Sequence, residues 1–291
     1  MRLVRGKSRT DKFDPSMEYI SQYAQKTLFE YIPMTDLDIL PPFPALLMRT
    51  KLKDQQRSVV VVSDLHIGFS KWFQSKNVSI DWYQIVEETE RGLERIITSC
   101  NADSIIILGD VKNSVSGINQ EDWNVIPKFF QTLSNVCQVY VVPGNHDGNI
   151  QVLLPDSVTA IGVTGMTIDD TLLVHGHTMP SSLMSGAKKI IFGHIHPTLT
   201  RQESILDGQK VWVFLRVQKE AIFPGTYGSV DLILMPSYNR SFTQHRKVSD
   251  KGIRVPMINR IMKRNAILKC LILSIDGSVI GNEELLFTIL R

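Results

Sequence analysis

The chain has 291 residues, 43% of them hydrophobic, which is enough to bury a sizeable core as one large domain. Cys100, Cys137 and Cys270 are scattered and form no C-x-x-C, which excludes a disulfide framework and points to a reducing cytoplasm. No run approaches the ~18 consecutive apolar residues of a membrane span and no apolar leader core follows the N-terminus, so a soluble, cytoplasmic protein without membrane partners is expected.

The net charge of +3 is mild but unevenly spread. Met1 to Thr10 carries Arg2, Arg5, Lys7 and Arg9 without an acid and reads as a flexible basic arm. Ser16 to Tyr31 follows as an amphipathic helix with Met17, Ile20, Ala24, Leu28 and Tyr31 on one side. Together they make residues 1–43 an N-terminal extension, and residues 44–291 the main domain.

Val59 to Ser63, Ser104 to Leu108, Val139 to Val142, Leu172 to Val174 and Lys189 to Phe192 are short, mostly β-branched runs that read as strands. Between the first two, Asp81 to Cys100 reads as a helix capped by Asp81 with Gln84. Trp82, Ile85, Val86, Leu93, Ile96 and Ile97 lie on its inner face. Glu121 to Asn135 repeats the one-sided pattern with Trp123, Ile126, Phe130 and Leu133. Val111 to Gln120 and Gly176 to Ala187 lack an apolar period and read as connecting loops or substrate lids.

Later in the chain Val211 to Val217, Val230 to Met235 and Leu268 to Ser274 supply a second set of strands. Two sheets packed face to face with helices outside give a four-layer α/β/β/α sandwich. Between Ser237 and Asn265 stand Arg240, Arg246, Lys247, Lys251, Arg254, Arg260, Lys263 and Arg264 against the single acid Asp250, with Tyr238 and Phe242 near the start. Such a stretch, residues 237–265, suits the backbone and bases of a nucleic acid, or else is an ordinary solvated face.

Each of the first five strands is followed at once by a polar cluster. In order these are D-x-H at Asp64 and His66, G-D at Asp110, G-N-H-D at Asn145 to Asp147, H-G-H at His175 to His177, and G-H-x-H at His194 to His196. Six of the seven histidines fall inside these motifs, and only His245 lies outside. Carboxylates, an amide oxygen and imidazoles together suit divalent ions such as Mn, Fe or Zn, and the carboxyl ends of strands are where α/β folds build sites. This is the donor set of a two-metal phosphoesterase centre.

With S-D-L-H-I-G-F at Ser63 to Phe69, G-D-V-K at Gly109 to Lys112, G-H-I-H-P at Gly193 to Pro197 and M-P-S-Y-N at Met235 to Asn239, the chain resembles the calcineurin-like metallophosphoesterases. Within them it is similar to small prokaryotic phosphoesterases related to SbcD-type DNA-repair nucleases. The likeness runs from about Pro44 to Val279. It implies one ion held by Asp64, His66, Asp110 and His196. A second would be held by Asp110, Asn145, His175 and His194, with Asp110 bridging. Two divalent transition-metal ions, Mn first and Fe or Zn as alternatives, would share a hydroxide and clamp the phosphoryl oxygens.

The resemblance further implies that His146 is the general acid for the leaving group. Asp147 and Asn113 stand beside it as the accompanying catalytic candidates, and His177 as a neighbour that supports the donors. In many members an acid occupies the position of Asn113. An amide oxygen there can still accept a hydrogen bond from the ring but brings no charge. The function expected is hydrolysis of a phosphate ester, foremost a phosphodiester of nucleic acid or nucleotides. The alternatives are a phosphomonoesterase acting on a small metabolite or phosphoprotein, and a catalytically silent metal-binding scaffold.

Overall fold

The β-branched runs form strands whose two faces are both buried, because successive side chains point to opposite sides. In β3 (Gln55–Ser63) Val59 and Val61 face one way and Val60 and Val62 the other, into different apolar layers. The same holds in β10 (Val211–Gln218), where Trp212 and Phe214 turn one way and Val213 and Leu215 the opposite way. The computed structural model describes residues 36–52, 55–68, 82–115, 117–200, 204–239 and 255–290. The basic arm, the Ser16 to Tyr31 helix, the Asp81 cap and Arg240 to Arg254 lie outside the described residues.

The first sheet has the order β1 (Leu37–Ile39), β2 (Leu46–Leu52), β3, β4 (Ser104–Leu108), β5 (Gln138–Val142) and β6 (Val158–Ala160). From β3 to β6 the pairing is parallel, while β1 and β2 add antiparallel strands at one edge. The sheet therefore begins before Pro44, inside the stretch read from the sequence as an extension. In the second sheet the order is β13 (Val279–Gly281), β12 (Ile267–Ser274), β10, β11 (Ser229–Leu234), β9 (Lys189–Phe192), β8 (Thr171–Val174) and β7 (Met166–Ile168). Here β8, β9 and β11 are parallel and the remaining pairings antiparallel.

Three apolar layers make this the expected four-layer sandwich. Val59, Val61, Ile106, Leu108, Ile191, Trp212, Phe214 and Ile233 fill the space between the sheets. Helices α1 (Trp82–Ser99) and α2 (Gln120–Ser134) cover the outer face of the first sheet, burying Leu93, Ile96, Ile126 and Phe130 against Val60, Val62, Ile105 and Ile107. On the outer face of the second sheet, α3 (Pro256–Lys263) and α4 (Glu283–Ile289) bury Met257, Ile258, Ile261 and Leu286 against Val213, Leu215 and Ile272.

Helix α2 corrects one expectation. Asn119 caps it, accepting from the backbone of Glu121 and Asp122, while Asp122 reaches back to the Asn119 N–H. At 100° per residue the buried stripe of Asp122, Val125, Ile126, Phe129, Phe130 and Leu133 leaves Trp123 at its edge. Trp123 is 49% exposed and is not core. In α1, Gly92 sits mid-helix, where glycine costs about 0.5–1 kcal/mol relative to alanine.

The layer between the sheets decides whether the two sets of strand ends stay in register, so it should be the most sensitive to truncation. Phe214 is fully buried there. Phe214→Ala should destabilise the fold by about 3–5 kcal/mol, read as a lowered urea midpoint at unchanged slope.

Candidate metal centre

The parallel strands of both sheets end at one place, and the polar clusters sit there. Asp64 follows β3, Asp110 follows β4, Asn145 and His146 follow β5, His175 follows β8, and His194 and His196 follow β9. To turn back over the strand ends the chain takes left-handed backbone at five of these residues. The φ angles are 56° at Asp64, 44° at His66, 48° at Asp110, 66° at His194 and 48° at His196. Asp and His tolerate that region better than most residues, but it still costs free energy and needs outside support.

That support comes from neighbouring loops. The N–H of Asp64 donates to the Gly109 carbonyl, that of His66 to Asp110 and that of Ile67 to Val111, at 2.7–3.1 Å. After β11, the Ser237 hydroxyl donates to the Asp64 carbonyl at 3.0 Å, and the Asn239 amide to the carbonyls of Leu65 and His66 at 2.9 and 3.3 Å. Lys210 in turn donates to the Ser237 and Asn239 carbonyls. Ser237 and Asn239 thus brace the turn that carries Asp64 and His66. Their signal was two polar residues placed directly after an apolar strand. The motif glycines have a steric reason too: a Cβ on Gly109 would strike the His175 ring, and one on Gly193 the Asp64 carboxylate.

The donor atoms converge in two groups that could hold a metal ion, Asp64, His66, Asp110 and His196 in one and Asp110, His175 and His194 in the other. Asp110 belongs to both. Nε2 of His196 lies 3.1 Å from Asp64 Oδ1 and 3.2 Å from His66 Nε2. Nε2 of His175 lies 3.3 Å from Asp110 Oδ1 and 3.2 Å from both His194 Nδ1 and the Asn145 side-chain oxygen, which brings Asn145 to the second group. Nδ1 of His175 is 3.0 Å from the Leu108 carbonyl, and that contact orients the ring.

These residues fit a cation. Imidazole nitrogens face one another head-on at 3.2 Å, and two carboxylates are buried among them. Burial would raise both acids, but the His196 ring on Asp64 and the His175 ring on Asp110 outweigh it and hold both carboxyls below the usual range. Burial, reinforced by His196, pulls His66 down to about 3, and burial with His175 pulls His194 down to about 4, so both rings present neutral nitrogens. Burial also pulls on His175, yet its hydrogen bond to Asp110 and the charge of Asp64 raise it to about 9. One proton thus sits where positive charge is demanded.

The remaining candidates fall around this centre. Nε2 of His146 lies 3.7 Å from Asp110 Oδ2, and its Nδ1 is 2.5 Å from an acceptor on Asn113. That acceptor is the main-chain carbonyl and not the side-chain amide expected from the sequence. A backbone carbonyl is supplied whatever residue stands there. Asp147 also differs from expectation: its carboxylate accepts the backbone N–H groups of Val111, Lys112 and Gly144 at 2.8–3.2 Å and binds the loop after β4 to the loop after β5. His177 packs 5.3 Å from the His175 ring, centroid to centroid, and its buried Nδ1 finds no hydrogen-bond partner among the described residues.

Residues 111–115 and 117–120 belong to the segment expected as a loop or lid. Their first half is anchored, since Asn113 N–H donates to Ile67 and the buried Lys112 ammonium to the Ser114 and Gly117 carbonyls. Of the basic segment 237–265 the structure describes residues 237–239 and 255–265. Arg260, Lys263 and Arg264 belong to the α3 end that leads into β12 beside Val217, and Arg264 donates to the Glu220 carbonyl just past β10. Because β10 runs antiparallel to β11, this is the end of the sheet away from the metal centre.

Two packed sheets with shared Asp and His donors at their strand ends define a metallophosphoesterase architecture. Residues 58–217 match the calcineurin-like phosphoesterase superfamily domain, and the chain belongs to that family. A curated relative, the uncharacterized protein R555 of Acanthamoeba polyphaga mimivirus, is 30% identical over 106 residues, which is 36% of this chain. The matched stretch spans only 7% of that relative's length. The crystal structure of Pseudomonas putida nuclease MPE is similar at 16% identity with a TM-score of 0.46, covering 80% of this chain and 98% of that one. Among the described residues no helix is long and apolar enough to cross a membrane.

Asp110→Ala should remove a donor from both groups at once and leave less than one Mn ion per chain by elemental analysis. For the wild type, a ring held near 9 must lose its proton before it can bind metal. Mn affinity should therefore rise between pH 6.5 and 8 by up to roughly tenfold per unit, with proton uptake by the buffer in calorimetry. A flat affinity over that range would show that His175 carries no proton there.

Proposed function

We propose that the protein is a two-metal hydrolase of phosphate esters, acting foremost on phosphodiesters of nucleic acids or nucleotides. The observation that carries this reading is Asp110, whose two carboxylate oxygens face both donor groups while His146 stands 3.7 Å away on the same residue. One ion would be held by Asp64, His66, Asp110 and His196, and the other by Asp110, Asn145, His175 and His194. When bound, two divalent ions, Mn foremost with Fe or Zn as alternatives, supply Lewis-acid charge for the phosphoryl oxygens and the attacking water.

The chain's own groups then do the rest. Nδ1 of His146 donates to the Asn113 carbonyl, so the ring presents Nε2 toward the shared carboxylate and the leaving oxygen of a bound ester. As a bond forms between the water oxygen and phosphorus, the bond to the leaving oxygen breaks, that oxygen takes the proton from His146 Nε2, and the proton shed by the water passes to solvent, from which His146 is reprotonated. Such proton donation contributes typically ~10²–10⁴-fold when the leaving group is a poor one. Asp147 holds the two loops that carry Asp110 and His146 at fixed separation. The three cysteines are unpaired, in keeping with a reducing compartment such as the cytoplasm.

Paired assays on bis(4-nitrophenyl) phosphate and 4-nitrophenyl phosphate, with Mn restored to stripped protein, test the substrate class. The diester should turn over faster; a faster monoester would assign a phosphomonoesterase, and full activity in chelator would end the metal mechanism.

His146→Ala should keep both ions yet lose about 10²-fold or more in turnover on an alkyl phosphodiester, and less on the nitrophenyl ester, whose leaving group needs little protonation. Asn113→Ala should stay within a few-fold of wild type on both, because the contact to His146 is made by the main chain. Equal losses on both esters for His146→Ala would show that it is not the acid.

A further inference from the structure

A second pocket lies apart from the metal centre, on the face of α1. It has a volume of about 280 Å³ and is walled by Glu88, Arg91, Gly92 and Arg95 of the helix, by Phe43 between β1 and β2, and by Tyr238 after β11. None of the donor residues lines it. Gly92 explains the space: a Cβ there would press on the Tyr238 hydroxyl at 2.8 Å and approach the Phe43 ring at 3.8 Å. A mid-helix glycine that weakens α1 thus has its counterpart in a cavity lined by Phe43 and Tyr238.

The chemistry of the walls is specific. Arg91 and Arg95 stand four residues apart, so their side chains lie on one face of the helix on successive turns, and both are exposed. Two guanidinium groups in that arrangement suit a phosphate, which they bind through paired N–H donors. Phe43, half-buried, offers ring surface against which a base can pack, while the buried Tyr238 closes the inner wall. Glu88, a turn earlier, accepts hydrogen bonds from hydroxyl or amino groups and turns away ligands that carry only negative charge.

We propose that this pocket binds a phosphorylated nucleoside unit, with its phosphate on Arg91 and Arg95, its ring against Phe43, and its hydroxyl or amino donors toward Glu88. The unit can come from a free nucleotide or from one residue of a single strand. The pocket also touches the metal centre's frame. Tyr238 stands between Ser237 and Asn239, whose side chains hold the backbone of Asp64, Leu65 and His66.

The test uses the full chain stripped of metal, so that hydrolysis at the centre does not consume the ligand, and the inorganic phosphate titration reads any phosphate taken up there. Adenosine 5′-monophosphate, adenosine, inorganic phosphate and a single-stranded DNA octamer are titrated by calorimetry into wild type and Arg91→Ala/Arg95→Ala. Both arginines are exposed, so the variant should fold, as checked by its melting curve. The monophosphate should bind at least tenfold more tightly than adenosine or phosphate alone, and the variant should lose at least tenfold. An octamer that binds tenfold tighter than the monophosphate assigns the pocket to a strand; equal affinities assign it to free nucleotides. Absence of binding by both, unchanged affinity in the variant, or phosphate binding as well as the monophosphate would overturn the proposal. Diester hydrolysis by the Mn-loaded wild type, measured in parallel, reports on the metal centre independently.

Discussion

Left-handed backbone at the donor residues is the constraint around which the rest of the molecule is arranged. A strand that ends in Asp or His normally carries its side chain onward, away from the sheet. At Asp64, His66, Asp110, His194 and His196 the positive φ folds the chain back so that the side chains converge. Each such turn costs on the order of 1–3 kcal/mol unless surrounding contacts over-determine it. The contacts are present: main-chain bonds tie the loop after β3 to the loop after β4, Asp147 ties the latter to the loop after β5, and Ser237 and Asn239 brace the first from the other sheet.

The electrostatics follow from that geometry. Two carboxylates are almost fully buried, and a buried charge is tolerated only when it is paired. In the protein alone the pairing is supplied by a proton on His175 and by the rings around Asp64. Neutral His66 and His194 leave lone pairs directed inward. Such a cluster is an expensive way to build a stable core and an effective way to attract divalent cations, which is consistent with membership of a phosphoesterase family.

The two sheets contribute unequally to this arrangement. The first delivers Asp64, Asp110, Asn145 and His146 from three neighbouring parallel strands, and the second closes the centre with His175, His194 and His196 from an adjacent pair. The apolar layer between them, together with the His194 N–H donating to the Asp64 carboxylate, keeps His196 3.1 Å from Asp64. The antiparallel return of β10 carries Arg260, Lys263 and Arg264 to the opposite end.

Much of the fold, and the polar residues that gather at the strand ends, could be read from residue order alone. Lys189 to Phe192 and Ser104 to Leu108 are strands at the expected bounds, since β-branched runs flanked by glycine and polar residues admit few other local structures. The donors were legible because each directly follows a strand, so that their placement is a local property of the chain. What lay beyond the sequence depends on contacts between segments far apart in it. Trp123 falls outside the buried stripe by a fraction of a helical turn, which only the packed sheet decides. Asn113 works through its carbonyl, an atom every residue carries and no motif can signal. Asp147 looks like part of the chemistry until three backbone N–H groups are seen to occupy it. The sequence by itself determined which strands end in donors. Which of those ends meet, which side of the sheet the charges reach and which polar atoms brace the turns were decided by tertiary structure, because hydrogen bonds and burial join residues that the chain order separates.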